Sequence, residues 1–364
     1  MSSVCISVIV PIYNYSVYLP TCLNSILNQT FQDFEIIIND DCSTDRTLDK
    51  IQEIKDDRIK IIKPGYNQGI NAALTNLIQN SDGEYVVIIA GDDMLKKNHL
   101  ETMVNYLDTH SDIDTVYCNV TPIDEKGNVR KDLGKDFIKT TDAPSADQLH
   151  QAFMYGNFAI SPGMTVRREA ISKILPLPYG IINNQDFKIH IDLLINKSEN
   201  CILPEKLVLY RQPYDNNNVS AKGLPTELRE SLEFEYVMES FLKITDIKFL
   251  EEIFREEIKE TGIYPYSDTV PFFLGRMAIL AKKDAKKSWG YHKILNFLSK
   301  KENFDIVNQK YGFTYKDLLG LTKTIKNTTF HKCFKYKKLF NTFLIGFIIS
   351  TVLALCLLIC LFLF

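Results

Sequence analysis

The chain has 364 residues, more than one ordinary domain needs. Its 42 Lys and Arg nearly balance 45 Asp and Glu, for a net charge of −3, so it lacks the basic excess of a protein built to bind nucleic acid. A hydrophobic content of 45% allows a sizeable core and excludes disorder as the default for any long stretch.

Residues 6–10 are a β-branched run, expected as a buried parallel strand, and Pro11, Tyr13 and Asn14 mark its end. Leu19, Leu23, Ile26 and Leu27 then recur at helical spacing, with Ser16 as the expected N-cap and Pro20 in the first turn. Residues 34–38 read as a second strand. A helix carrying Leu48, Ile51 and Ile54 follows, with Ser43 or Thr44 as its cap. Residues 58–62 read as a third strand, Gly69 opens a helix with Ala72, Ala73, Leu77 and Ile78, and residues 85–89 read as a fourth strand. Such alternation implies βαβ crossovers and a mostly parallel sheet with helices on both faces.

Beyond residue 98 the pattern is mixed. A helix is expected over 100–107, a strand over 115–119 and a turn at 124–127. Residues 156–166 are rich in small side chains, and Phe187, Ile191, Leu194 and Ile195 mark a later helix. From Pro225 to Thr324 the composition turns charged, Leu-rich and helical, with no strand expected. Packing on the preceding domain and homo-oligomerisation are both roles open to this region.

Residues 343–364 contain no charge and no proline, and about 20 apolar residues suffice to cross a bilayer as a helix. Lys332, Lys335, Lys337 and Lys338 precede that span, which by the positive-inside rule keeps the preceding residues in the cytoplasm. The first residues read as a strand, not a secretory signal. The 8 cysteines show no zinc-type or redox-type spacing and are read as reduced thiols in a cytosolic compartment. The expected organisation is an α/β domain over 1–222, split into a first half (1–97) and a second half (98–222). A helical region (223–338) and a transmembrane helix (339–364) follow.

In open α/β sheets, ligands bind beyond the carboxyl ends of the strands. Asp40-Asp41 and Asp92-Asp93 stand at two such ends. Crowded carboxylates repel unless a cation or hydrogen-bond donors offset them. A hard cation, Mg²⁺ or Mn²⁺, takes one or two carboxylates and completes its shell with substrate phosphates. Asp92-Asp93 therefore reads as a metal–diphosphate site. The plainer reading of one such pair is a helix cap or turn; two pairs at strand ends weigh against it.

The stretch 6–14 (Ile-Ser-Val-Ile-Val-Pro-Ile-Tyr-Asn) resembles the opening strand and loop of family 2 glycosyltransferases. So do residues 29–38 running into Asn-Asp-Asp-Cys-Ser-Thr-Asp at 39–45, then 67–73, 83–87 and Gly-Asp-Asp at 91–93. The resemblance covers about residues 4–220. It implies the α/β nucleotide-sugar fold called GT-A, with Pro11 and Tyr13 lining the nucleotide pocket. Asp41, with Asp40 beside it, would accept a hydrogen bond from the base, most often uracil. Asp92 and Asp93 would form the acidic metal motif, with Asp93 the direct ligand. Asp186 matches the general base, and Arg211 a basic residue near the loop that closes the site. The sequence departs from the family pattern at Cys42, where glycine is usual, at Asn39, where an apolar or small residue is usual, and at Gln185, where glutamate often precedes the base.

The implied activity is inverting transfer of a sugar from a nucleotide-diphosphate donor, a UDP-sugar first, to a glycan or lipid-linked acceptor at the membrane. Asp186 would deprotonate the acceptor hydroxyl. Asp186 as a helix N-terminal carboxylate, and Arg211 in a surface ion pair, are the bland alternatives. His99, His110 and His150 read as surface residues. Residues 65–69 lack the Lys and Ser/Thr of a phosphate-binding P-loop. The rival at the level of function is a catalytically inactive, membrane-bound assembly partner.

Overall fold

The computed structural model describes residues 4–133, 143–214 and 223–324. The expected transmembrane helix and the lysines before it lie outside these residues. Among the described residues no helix is long and apolar enough to cross a membrane.

The chain opens with β1 (Ile6–Ile12), α1 (Leu19–Leu27), β2 (Phe34–Asp40), α2 (Thr47–Glu53), β3 (Ile59–Ile62), α3 (Ile70–Gln79) and β4 (Tyr85–Ile88). It continues with β5 (Met94–Leu95), α4 (His99–Thr109), β6 (Thr115–Ile123), α5 (Ser145–Met154), β7 (Met164–Arg167), α6 (Arg168–Ser172), α7 (Gln185–Ile195) and β8 (Asn200–Arg211). Helices follow: α8 (Leu224–Met238), α9 (Ile247–Ile253), α10 (Arg255–Thr261), α11 (Val270–Leu280), α12 (Asp284–Phe297), α13 (Lys301–Tyr311) and α14 (Tyr315–Thr324).

Eight strands form one sheet in the order β3-β2-β1-β4-β7-β6-β8-β5. The first four run parallel, as their unbroken β-branched runs predict. Alternation divides their side chains between two cores. Ile9, Ile37, Val86 and Ile88 pack with α3, α5 and α7; Val8, Val10, Ile36, Ile38 and Val87 pack with α1 and α4. The sheet as a whole is mixed rather than mostly parallel. β7 pairs antiparallel with both β4 and β6, and β5 antiparallel with β8; only β6–β8 restores a parallel pair.

Local chemistry differs from expectation at three points. Ser16 does not cap α1; its N–H donates to Asp45 Oδ2 at 3.1 Å, and the cap position is Tyr18. Neither Ser43 nor Thr44 caps α2. Asp45 Oδ1 takes the Thr47 N–H at 3.0 Å, so a carboxylate accepts an orphan donor at the helix start. His99 is not on the surface: it has no exposure, and burial pushes its pKa down to about 4.

The helices after β8 join the first core rather than standing apart. Phe153 of α5 meets Phe241, Phe254 and Trp289 edge-on at centroid distances of 4.8, 4.7 and 6.2 Å. Lys286 is fully buried and donates to Ala152 O at 2.8 Å and Phe153 O at 2.5 Å, closing the carbonyl end of α5. Burial pushes its pKa down to about 7.

Asn39 sits in β2 with no exposure, and among the described residues neither its Nδ2 nor its Oδ1 finds a hydrogen-bond partner. A buried amide left unpaired costs about 1–3 kcal/mol. Asn39→Val removes that cost and suits a strand. It is expected to raise stability by about 1 kcal/mol, read as a higher urea midpoint at unchanged slope. A fall in the midpoint would contradict this account of Asn39.

Candidate active site

The loop after β1 is stitched to the loop after β2. Asn14 N donates to Ser43 Oγ and Thr44 N to Asn14 Oδ1, each at 2.8 Å. Asn14 takes a φ of 59°, a left-handed conformation that asparagine tolerates. Tyr13 is left 46% exposed at the mouth of this loop system. Pro11, buried near the end of β1, lies past the Ile9–Ile88 pair that ends the β1–β4 ladder, where a missing N–H costs least.

Asp40 and Asp41 are both buried. Asp40 Oδ1 accepts Ser43 N at 3.1 Å. Asp41 accepts Gln68 N through Oδ1 and Gly69 N through Oδ2, both at 2.7 Å. Asp41 thereby clamps the start of α3 against β2. Each of its oxygens keeps a second lone pair, which is what recognition of a base N–H requires. Cys42 adopts a φ of 63° and donates its thiol to Pro64 O at 3.3 Å. The turn is left-handed even without the usual glycine, at a cost of about 1–2 kcal/mol.

After β4 the chain turns through Gly91 into Asp92-Asp93. A Cβ on Gly91 would meet Ile12 Cγ2 at 2.7 Å and Tyr15 Cδ2 at 3.0 Å, so only glycine lets the β1 loop close on this turn. β5 then pairs with β8, Met94 opposite Leu209. That pairing delivers Arg211 to the acidic turn: its N–H donates to Asp93 Oδ1 at 2.8 Å. Arg211 Nε donates to Asp92 O at 2.8 Å, and Nη1 to Asp124 O at 2.8 Å and Glu125 O at 3.0 Å. Tyr18 lies beneath the guanidinium, 4.5 Å from ring centroid to Cζ. Arg211 is buried and is not a surface ion pair.

Asp93 Oδ2 is buried with no partner among the described residues. Burial, and the charge of Asp92, push the Asp93 carboxyl well above the ordinary range; burial raises Asp92 as well. An orphaned carboxylate oxygen with a second carboxylate beside it suits a hard divalent cation, with diphosphate oxygens completing the shell. The residues present therefore fit Mg²⁺ or Mn²⁺.

Asp186 lies in the first turn of α7. Phe187 N donates to its Oδ1 at 2.6 Å and Asn157 Nδ2 to its Oδ2 at 3.1 Å. Burial outweighs these donors and pushes its pKa to about 6. Asn157 is held in turn, its Oδ1 3.1 Å from His190 Nδ1. Burial pushes the His190 pKa down to about 3, so the ring is neutral. It packs edge-on to Tyr117 at 4.9 Å. Gln185 fits its place: with its amide oriented by hydrogen bonding, Nε2 donates to Ile182 O at 2.6 Å and Asn183 O at 3.1 Å. A glutamate carboxylate there would have no proton to give.

Burial raises the Tyr210 pKa, and the charges of Asp93, Asp186 and Asp92 raise it further. Pro11, Tyr13, Asp40 and Asp41 occupy the neighbouring strand ends, with Asp41 N donating to Ile12 O at 3.0 Å. Asn157, His190 and Tyr210 were not singled out from the sequence. Only His190 carried a signal, being four residues beyond Asp186 on one helix face.

Strand-end carboxylates beyond a half-parallel sheet define a GT-A-like protein. The structure of Staphylococcus aureus TarS in complex with UDP-GlcNAc shares the fold, with a TM-score of 0.56 at 18% identity over 85% of this chain and 93% of that one. Residues 7–175 match the family described as Glycosyl transferase family 2. An uncharacterized glycosyltransferase of Nostoc sp. is 32% identical over 230 residues, 61% of this chain and 69% of the relative. The Campylobacter jejuni GalNAc(5)-diNAcBac-PP-undecaprenol beta-1,3-glucosyltransferase is 34% identical over 159 residues, 43% of this chain and 50% of that enzyme. The chain belongs to glycosyl transferase family 2.

Proposed function

We propose that this protein is an inverting, metal-dependent glycosyltransferase that moves a sugar from a UDP-sugar to a hydroxyl of a glycan or lipid-linked acceptor. The observation that carries the reading is the buried Asp93 carboxylate, whose Oδ2 has no partner among the described residues, beside Asp92 in the turn that follows β4. Asp186, with a pKa near 6, is ionised at neutral pH yet basic enough to take a proton as the acceptor oxygen attacks. Asn157 and Phe187 N hold that carboxylate in place. Attack opposite the diphosphate is a single displacement, which inverts the anomeric centre. Asp93 and Asp92 would hold Mg²⁺ or Mn²⁺, whose charge stabilises the leaving diphosphate. Asp41, Asp40, Pro11 and Tyr13 would seat the nucleoside, and the Nη2 hydrogens of Arg211, outside its three carbonyl bonds, would face the phosphates. The printed names of two relatives support the substrate classes: TarS was crystallised with UDP-GlcNAc, and the Campylobacter enzyme is named for an undecaprenol-linked acceptor. Segment 343–364 would anchor the catalytic body at the cytoplasmic membrane face.

The test is nucleoside diphosphate release from a panel of UDP- and GDP-sugars, with membrane lipid extract as acceptor, with and without Mn²⁺. Parent and Asp93→Asn are compared, and the product anomer is read by NMR. Metal-dependent release from a UDP-sugar with inversion, reduced about 10²-fold or more in Asp93→Asn, is the expected result. Retention of configuration would overturn the mechanism. No release from any donor by a protein that binds UDP would overturn the enzymatic reading.

A further inference from the structure

Glu233 stands on α8, in the helical region after the catalytic strands, yet its carboxylate is spent on the segment that leads into α7. Its Oε1 accepts Ile182 N at 2.9 Å, and its Oε2 accepts Asn183 N and Asn184 N, each at 2.9 Å. Asn184 Nδ2 adds bonds to Glu230 O at 3.1 Å and Glu233 Oε2 at 3.4 Å. Three consecutive N–H groups converge on one carboxylate, and Asp186 follows two residues later. The next residue of α8 repeats the grip: Phe234 packs on Phe187 at a centroid distance of 5.3 Å. Charge-assisted bonds of this kind are roughly twice as strong as neutral ones.

We propose that Glu233 is a positioning residue for the base Asp186, so that the helical region sets the catalytic geometry instead of merely linking the body to its membrane segment. This rests on Asp186 being the base. Gln185 holds two carbonyls of this segment, and Glu233 takes its three consecutive N–H groups, tying it to α8. Asp186 is fixed from the body side by Asn157. A base shifted by about 1 Å loses rate about 10²-fold while binding elsewhere is spared.

The experiment uses the full chain in detergent, with Glu233→Ala, Glu233→Gln and a control, Glu235→Gln. Glu235 is on the same helix, 3.9 Å from His292 at the surface. Turnover, donor KM and UDP affinity are measured beside hydrogen–deuterium exchange of peptides spanning 180–188. Glu233→Ala and Glu233→Gln are both expected to lower kcat about 10–100-fold, because a glutamine turns an N–H toward the backbone donors. Donor KM and UDP affinity stay within about twofold, exchange rises at 182–187 and not in β1–β4, and the control matches the parent. Unchanged kcat, or UDP affinity falling in step with kcat, overturns the proposal. If the parent itself turns over no donor, the functional reading fails separately. Exchange then still decides whether Glu233 holds the segment, and unchanged protection at 182–187 overturns that too.

Discussion

Asp186→Asn is expected to lower turnover about 10³-fold, within the 10²–10⁴ that a positioned general base contributes. The substitution keeps an oxygen for Phe187 N, so the start of α7 retains its donor–acceptor match. The parent rate at limiting donor should fall about tenfold per pH unit below pH 6, where Asp186 protonates, and the residual rate of the variant should lack that limb. Stability should move the other way. The carboxyl titrates near 3.8 when unfolded and near 6 when folded, so between those values the folded state holds the extra proton and stability falls as pH rises. Above pH 6 the ionised group carries the whole burial penalty, about 2–3 kcal/mol for a shift of this size. Asparagine removes it there, less the poorer match to Asn157, and gives nothing below about pH 4. Denaturant melts of both proteins at pH 8 and at pH 4 check the sign. Turnover within tenfold of the parent, with the acid limb intact, would remove Asp186 from the base role.

A gain in stability on losing the carboxylate proposed as the base would be the mark of a functional site, where local rules are broken and offset elsewhere. Asp93, with a buried orphan oxygen, breaks the same rule. Asn39 breaks it too, and nothing in the structure explains that residue.

The parallel strands were legible because burial on both faces demands unbroken β-branched runs, and Val8, Val10, Ile36 and Ile38 supply them. β8 was not legible. Its register with β6 jumps from Leu203 to Lys206, so Pro204 and Glu205 are bulged out and the alternation that would mark a strand is lost. β7 is four residues long inside a stretch of small side chains, too short for a periodic signal. The caps failed for a different reason: Ser16, Ser43 and Thr44 are drawn into the stitching of two loops, and Asp45 serves both Ser16 and Thr47. In the site, Asp40-Asp41 and Asp92-Asp93 could be placed because topology brings strand ends together, whereas Asp186, in the first turn of α7, was pointed to by the family resemblance alone. The partners of these carboxylates could not be read. Asn157 is 29 residues from Asp186, and Glu233 is about 50 from the backbone it holds, distances over which no local pattern carries information.

Arg211 provides the other large effect. Its guanidinium joins Asp92, Asp124 and Glu125 through their carbonyls, and its charge pulls against the raised pKa of Asp93. Arg211→Ala would take a donor from three carbonyls, of which Asp124 O keeps Gly127 N at 3.1 Å, and would leave two raised carboxylates without their compensating charge. Removing one partner from such a buried network costs about 3–5 kcal/mol. At about 2–4 °C per kcal/mol the melting temperature should drop about 6–20 °C. Arg211→Lys separates charge from shape. A lysine restores the positive charge, but one ammonium cannot span three carbonyls fixed for a planar fork, nor stack on Tyr18 as the guanidinium does. Most of the loss, about 2 kcal/mol or more, should therefore persist. The Arg211 N–H bond to Asp93 is main-chain and survives both substitutions, so the acidic turn should loosen without unfolding. Calorimetric melts of the two variants decide the matter. A loss below about 1 kcal/mol in Arg211→Ala is what an exposed ion pair would give. Such a loss would return Arg211 to the bland reading that its sequence alone allowed.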